Sequence, residues 1–484
     1  MTRLLVALSV CLLIGLPAFA KAPNNLRACW NQQVRPLQNT YTSWRYQETL
    51  NKLEHSFQPW QATTYTGTGR IWSNARNFLK SDTLHQGTKT YFSQTHLTPT
   101  TLLFQDYGDK QLTRVTQGDF QEQPLQAARY EPSTLIQYFF AAKSTPEPES
   151  TRELVVYKAT LHRTIVRLYI RTADNLLSKV TTLQDDDLFG DVHTTYTYEN
   201  YAALGKLTYP KTVTISKING KLTDKVMITA ATLVSAAPTL LAPPVGYTLA
   251  PEVVAKPETS VEHYSPHLHL IGLPHTDDKV LLVEFDTFLL VAEAPLNSQN
   301  GELIIAEARK IAPRKPIRYF VAGHYHPHYL GGLRPFVHRG ATILTTAADV
   351  PYVQYLAAAP HTLRPDSLQL QPKLLQTEEI QHVKTISDGK FEMQIHVIGS
   401  KSQHTNDYLI YYFPSEKLLF EDDLVWIARQ GEIKKASPRQ AGLYQAVQEL
   451  GLQIDTILQS WPVKDYGVKT VIPFRDLEQS MQVK

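Results

Sequence analysis

Gly323-His324-Tyr325-His326-Pro327-His328-Tyr329-Leu330-Gly331-Gly332 decides how this chain is read. It follows Ile317-Arg318-Tyr319-Phe320-Val321, an apolar and aromatic run with the pattern of a buried strand. Alternate residues of an extended segment point the same way, so His324, His326 and His328 are expected to face one point. Neutral imidazole is the commonest protein ligand for zinc and similar metals, and close spacing lowers the entropy cost of gathering ligands. A solvent-exposed His-rich turn would carry the same spacing in a chain with 17 histidines, so the surroundings must decide.

Those surroundings read as mixed α and β. Val280-Leu281-Leu282-Val283 and Phe288-Leu289-Leu290-Val291 are short apolar runs, the signature of buried strands. Ile304, Ala308 and Ile311 recur at helical spacing over residues 302–311, and Pro313 stops that helix. A further strand is expected at Ala341-Thr342-Ile343-Leu344. Strands alternating with helices imply a layered α/β arrangement with ligands gathered at strand ends. Further on, Gln403-His404-Thr405-Asn406-Asp407 precedes the apolar run Tyr408-Leu409-Ile410-Tyr411-Tyr412, and Lys417-Leu418-Leu419-Phe420 leads into Glu421-Asp422-Asp423. A His-x-His pair, a distant lone histidine and an aspartate, each at a strand end, are what a metallohydrolase needs. The metal polarises a carbonyl or phosphoryl oxygen and brings its bound water to a pKa near ~7.

Residues 59–233 differ in character. Thr164-Ile165-Val166-Arg167-Leu168-Tyr169-Ile170-Arg171 alternates buried-type Val166, Leu168 and Ile170 with Arg167 and Arg171. Val213-Thr214-Ile215-Ser216-Lys217-Ile218 and Lys225-Val226-Met227-Ile228-Thr229 flank Asn219-Gly220, a hairpin signal because both residues tolerate positive φ. An antiparallel sheet with one face covered is expected, and Asp185-Asp186-Asp187 reads as an acidic turn between strands. Pro243, Pro244, Pro251 and Pro257 then mark a semi-rigid linker.

At 484 residues the chain is too long for one compact core. Its 43% hydrophobic and 19% charged residues are ordinary, and a net charge of +3 without basic clusters gives no case for a nucleic-acid partner. Arg3, the apolar residues 4–16 and Pro17-Ala18-Phe19-Ala20 read as a signal peptide cleaved after Ala20. That run is shorter than the ~20 residues needed to span a bilayer, and no later segment is apolar enough, so a periplasmic or secreted protein without a membrane span is expected. Cleavage removes Cys11 and leaves Cys29 alone, which excludes an intramolecular disulfide.

Over residues 262–477 the sequence resembles the metallo-β-lactamase superfamily, in a periplasmic branch. The landmarks are Glu293-Ala294-Pro295-Leu296, Lys315-Pro316-Ile317-Arg318, the histidine loop, Gly331-Gly332-Leu333-Arg334, Gly340-Ala341-Thr342-Ile343, Pro360-His361-Thr362-Leu363 with Pro365-Asp366, and Phe420-Glu421-Asp422-Asp423. The resemblance implies an α+β chain: a signal peptide (1–20), a β-rich, antiparallel, curved-sheet N-terminal domain (21–240), a Pro-rich linker (241–260) and a C-terminal αββα sandwich (261–484). The N-terminal part is similar to lipoprotein-carrier sheets.

The family's metal motif is His-x-His-x-Asp-His. By resemblance His324 and His326 match its first pair, His404 the distant histidine, and Asp423 the metal-bridging aspartate. His328 stands where the family has aspartate, and Tyr329 where it has the next histidine. The family's final histidine is absent from Ile457-Leu458-Gln459-Ser460-Trp461-Pro462. The motif is therefore degenerate. One three-nitrogen zinc site is implied, with the second site reduced to Asp423 and, as a substitute ligand, His328. Asp423 or His328 is the implied catalytic group, positioning metal-bound hydroxide against an ester, amide or lactone-type bond of a small-molecule substrate. Tyr329 is either an oxyanion donor or simply packed. Two other readings stand beside this hydrolase: a degenerate relative that binds metal without fast turnover, and a binding module with an apolar ligand on the N-terminal sheet. His263, His267, His269, His275, His338 and His361 are assigned ordinary packing or surface roles.

Overall fold

A computed structural model describes residues 25–53, 56–74, 77–97, 102–105, 111–114, 117–237, 245–249, 256–461 and 466–483. The expected signal peptide and much of the expected linker lie outside the described residues. The architecture is mixed α+β and is built on three sheets. Among the described residues no helix is long and apolar enough to cross a membrane.

The first sheet has thirteen strands between Tyr41–Lys52 and Thr248–Leu249. Its pairings are antiparallel, except that Thr248–Leu249 lies parallel to Gln111–Arg114 at one edge. The expected linker thus contributes a short strand. Period-2 patterning drives the sheet: in Thr164–Arg171 the residues Val166, Leu168 and Ile170 are fully buried and alternate with half-buried neighbours. The Asn219-Gly220 signal is realised as a turn between Leu207–Lys217 and Leu222–Val234, with Ile218, Asn219 and Gly220 all at positive φ. One face is covered by the helices Asn25–Gln33, Gln117–Ala128 and Ser133–Ala141. Leu26, Cys29, Ala128, Leu135 and Phe139 pack there on Trp44, Ile71, Val213 and Val226. Burial pushes the Cys29 thiol up to about 12, so it is an inert core group.

A seven-stranded sheet runs from Ser260–His263 to Gln376–Glu379, and a six-stranded sheet from Val383–Ser387 to Val471–Pro473. They face each other through one core: Leu281, Val283, Leu290 and Val321 meet Met393, Ile395, Tyr411 and Phe420. The outer face of the first buries Leu282, Val291 and Phe320 under the helices Ser298–Ile311, Arg334–Arg339 and Val350–Ala358. The outer face of the second buries Ile410, Leu419 and Ile457 under Pro438–Leu450 and Phe474–Gln482. Burial on both faces explains why these strands read as continuous apolar runs. The helix expected at residues 302–311 starts earlier, at Ser298, because the Asn297 side chain accepts from Asn300 N and caps it.

The thirteen-stranded sheet docks onto the seven-stranded one. Phe189 and Val192 join its outer core, and Trp60 packs edge-on against Tyr352 and Tyr355 at 5.2 and 4.9 Å. Asp191 accepts from Thr362 N at 3.0 Å, from Leu363 N at 3.1 Å and from the Thr362 hydroxyl. Arg364 pairs with Asp185 and Asp187, so the acidic turn is an anchor between sheets.

The docked segment is itself held by Asp366. Burial acts to raise this carboxyl, but the Arg334 guanidinium, the Gln369 N–H and the Ser298 hydroxyl outweigh it and hold it at about 2. A depressed folded-state pKa contributes stability that is present above the unfolded value of about 4 and is lost as pH falls toward about 2. Urea unfolding at pH 5 and pH 2.5 is expected to show this loss, and Asp366→Asn to reduce it. An acid dependence unchanged by that substitution would assign the loss elsewhere.

Candidate metal centre

His324 and His326 leave the end of strand Ile317–Val321, and His404 precedes strand Leu409–Phe413. Gly323 ties these two segments together, its carbonyl accepting from Leu409 N at 2.7 Å. Ser402 Oγ accepts from His404 N at 3.1 Å and from Thr405 N at 3.2 Å, which fixes the turn carrying His404. Gly442 of helix Pro438–Leu450 lies against the Lys401 carbonyl, where any side chain would lift the helix off this turn.

The three imidazoles are buried, and one ligand nitrogen from each gathers within 4.8 Å of the others. Their orientations are fixed from behind. His324 Nδ1–H donates to Asp422 Oδ2 at 2.7 Å, which leaves its Nε2 toward the cluster. His326 Nε2–H donates to the Ser56 carbonyl at 3.1 Å, which leaves its Nδ1 inward. Those tautomers, assigned from their partners, point His324 Nε2 and His326 Nδ1 at each other across 3.0 Å. Two lone pairs at that distance repel unless a cation lies with them. His404 Nε2 is buried without a well-directed hydrogen bond, 3.1 Å from Asp423 Oδ2. A three-nitrogen donor set with outer-shell carboxylate and carbonyl partners fits zinc or a similar borderline metal.

The rings of Tyr329 and Tyr408 lie 4.4 and 4.9 Å from the His324 ring. The Tyr408 hydroxyl accepts from Asp422 N and Asp423 N at 3.1 and 3.2 Å, setting the bend that sends neighbouring carboxylates in different directions. Asp422 goes beneath His324, where it shares a hydrogen bond with buried Glu293; burial lifts both carboxyls above the usual range, and the neighbouring Glu293 charge lifts Asp422 further, whereas the shared hydrogen bond acts to lower Glu293. Glu293 sits in the left-handed region at φ 79 and accepts from Gly323 N at 3.0 Å and the Tyr411 hydroxyl at 2.9 Å. A non-glycine residue there costs on the order of 1–2 kcal/mol, which those bonds offset. Asp423 goes to the rim beside His404, and Arg439 donates to its Oδ2 at 3.1 Å. Burial would raise the Asp423 carboxyl, but His404 and Arg439 hold it below the usual range and therefore anionic.

His328 does not join the cluster. A short helix, Pro327–Leu330, begins directly after His326, so the extended alternation ends there. His328 Nδ1–H instead donates to the buried Asp278 carboxylate at 3.1 Å, with 42% of the side chain exposed. Burial would lower its pKa, but Asp278 prevails and raises it. Trp461 stands 5.9 Å from the His328 ring. Tyr329 is buried against His324. The remaining histidines have ordinary partners: His269 with His263 and Glu284, His267 with the Glu284 carbonyl, His275 with Asn300 and His338 with the Gln371 carbonyl, while His361 packs against Gly190.

Sequence reasoning named neither Asp278, Arg439 nor Ser56 as part of this centre. Ser56 acts through its backbone carbonyl, which any residue supplies, so no side-chain signal could have found it. Asp422, next to the aspartate that the resemblance singles out, orients His324. Asp422→Ala is expected to weaken metal affinity by about 10–100-fold, as loss of such a partner does. Competition with a chromogenic zinc chelator measures this, and wild-type affinity would remove Asp422 from the centre.

A cleft of about 630 Å³ opens at the centre, lined by His326, His328, Tyr329, Asp423 and Trp461 together with residues of the thirteen-stranded sheet. No protein-family model and no curated protein matches the chain. Solved structures similar to it include a metallo-beta-lactamase from Pontibacter korlensis, at 14% identity and a TM-score of 0.34, covering 47% of this chain and 98% of that one. DIM-1 metallo-beta-lactamase is similar at 15% identity and a TM-score of 0.33, covering 47% and 97%. A flavo di-iron protein variant from Thermotoga maritima is similar at 13% identity and a TM-score of 0.33, covering 47% and 62%.

Proposed function

We propose that this chain is an exported, metal-dependent hydrolase of the metallo-β-lactamase superfamily, acting on an ester, amide or lactone-type bond of a small molecule. In this reading residues 21–240 form the β-rich domain, 241–260 a linker, and 261–484 the αββα sandwich. The observation that carries it is the gathering of His324, His326 and His404 within 4.8 Å, with His324 and His326 oriented by Asp422 and Ser56. Zinc held by these three nitrogens would supply a Lewis acid and a water of pKa near 7.

The chain's own groups divide the remaining work. Asp422 and the Ser56 carbonyl orient the His324 and His326 rings so that one nitrogen of each is turned toward the metal position. Asp423, anionic beside His404, orients the attacking water and accepts its proton. His328, its pKa raised by Asp278, donates a hydrogen bond toward the oxygen or nitrogen leaving the substrate. Asp423 and His328 are also the groups to which a second metal would fall. A second reading, metal binding without fast turnover, is favoured by the bond of His328 to Asp278 and by Trp461 near it.

Metal analysis of the mature, untagged protein with an ester, amide and lactone screen tests both readings. About one metal per chain with turnover supports the hydrolase. One metal without turnover supports the second reading, and no retained metal overturns both. Export predicts a mature chain beginning at Lys21, which N-terminal sequencing of the secreted or periplasmic fraction checks.

A further inference from the structure

The loop between strands Tyr41–Lys52 and Thr63–Ser73 reaches the metal centre from the other sheet. The Ser56 carbonyl accepts from the Tyr325 hydroxyl at 2.6 Å as well as from His326, and the Phe57 carbonyl accepts from Asn406 N at 2.7 Å, beside His404. This loop therefore touches both segments that carry the histidines. Behind it Trp60 is stacked on Phe189 at 5.5 Å and braced by Tyr352 and Tyr355. Asp191 and Arg364 fix the neighbouring hairpin against the same surface.

Its wall is apolar and flat-faced. Trp60, Phe189 and Ile218, from connections of the thirteen-stranded sheet, line the cleft together with Tyr325, Tyr352 and Trp461, and the Lys221 ammonium lies over the Trp60 ring at 4.8 Å. The charged or titratable side chains among the lining residues mostly have partners: Asp423 with Arg439, Lys217 with Asp224 and His328 with Asp278, beside Lys52. A substrate whose reacting bond lies at the histidines must place its remainder against these rings. Aromatic walls reward a flat apolar group by stacking, and about 630 Å³ is the size of a small-molecule site.

We propose that this cleft is the substrate's recognition site, and that it takes an uncharged, ring-bearing group held between the N-terminal sheet and the histidine loop. The N-terminal sheet is then a specificity element of the enzyme. This rests on the hydrolase reading for the identity of the ligand as substrate, whereas the cleft's preference for rings does not require turnover.

The test uses the full-length, zinc-loaded mature protein and the neutral fluorophore N-phenyl-1-naphthylamine. Saturable binding of about one probe per chain is expected, weakened roughly tenfold or more by Leu188→Lys, which sets a charge on the wall, and by Trp60→Leu. Leu188 is partly exposed, so that variant keeps the test valid if Trp60→Leu fails to fold. A kcat/KM for ethyl 1-naphthylacetate at least about tenfold above that for ethyl acetate is expected, because both esters share one leaving group. Zinc retained and esters turned over, but with no probe binding or with binding unchanged in both variants, overturns the cleft assignment and leaves the hydrolase standing. Probe binding that responds to the variants in a chain that holds no zinc does the reverse.

Discussion

His404→Ala is expected to lose bound metal and hydrolytic activity together. The site draws two nitrogens from one loop and the third from a separate segment, so His404 closes it. Two histidines alone leave a bidentate site open to water. Affinity should fall by more than the 10–100-fold that loss of an outer-shell partner costs. Activity should fall to the uncatalysed background, because the Lewis acid and the lowered water pKa leave with the metal. The wild-type chain should also melt higher with zinc than with chelator, since metal at a hundred times its Kd stabilises by about 2.7 kcal/mol. The variant should show no such difference. Elemental analysis beside melting curves with and without zinc decides it, and stoichiometric metal in His404→Ala would place the site elsewhere.

Arg334→Leu is expected to cost about 3–5 kcal/mol of stability, the range for stripping one partner from a buried ion pair. Arg334 is almost fully buried; it donates to Asp366 at 2.6 and 3.1 Å and to the carbonyls of Leu356, Ala357 and Ala359 at 2.8–3.0 Å. Leucine fills much of the volume but leaves a buried carboxylate and three carbonyls without that donor. The segment so loosened leads directly to Thr362 and Leu363, the partners of Asp191 on the other sheet. The variant should therefore also bind the fluorescent probe less tightly. Urea unfolding measures the first effect, and restoration of part of the loss in Arg334→Leu/Asp366→Asn would show that the stranded charge is its main source. A loss under about 1 kcal/mol would mean that water replaces the guanidinium.

Local patterns carried much of the architecture. The alternation over residues 164–171, the Asn219-Gly220 turn and the strand before the histidines are matters of neighbouring residues, and each took its expected form. The early start of the helix Ser298–Ile311 and the turning away of His328 also have local causes, the Asn297 cap and Pro327 at the first helical position. Both signals were present in the sequence, yet the longer periodic pattern masked them.

The sequence by itself determined the inventory: which strands are buried on one face or two, and which histidines stand at strand ends. Tertiary structure alone decided what those residues do. Asp422, rather than its neighbour Asp423, lies beneath His324 because the Tyr408 hydroxyl shapes the bend between them. His326 owes its tautomer to the Ser56 carbonyl, 270 residues away, and the cleft owes its wall to Trp60. Patterning records whether a side chain is buried, because burial is a property of its own element. Which nitrogen faces a metal, and which ring faces a substrate, depends on the second element brought against it, and that follows from how the sheets dock.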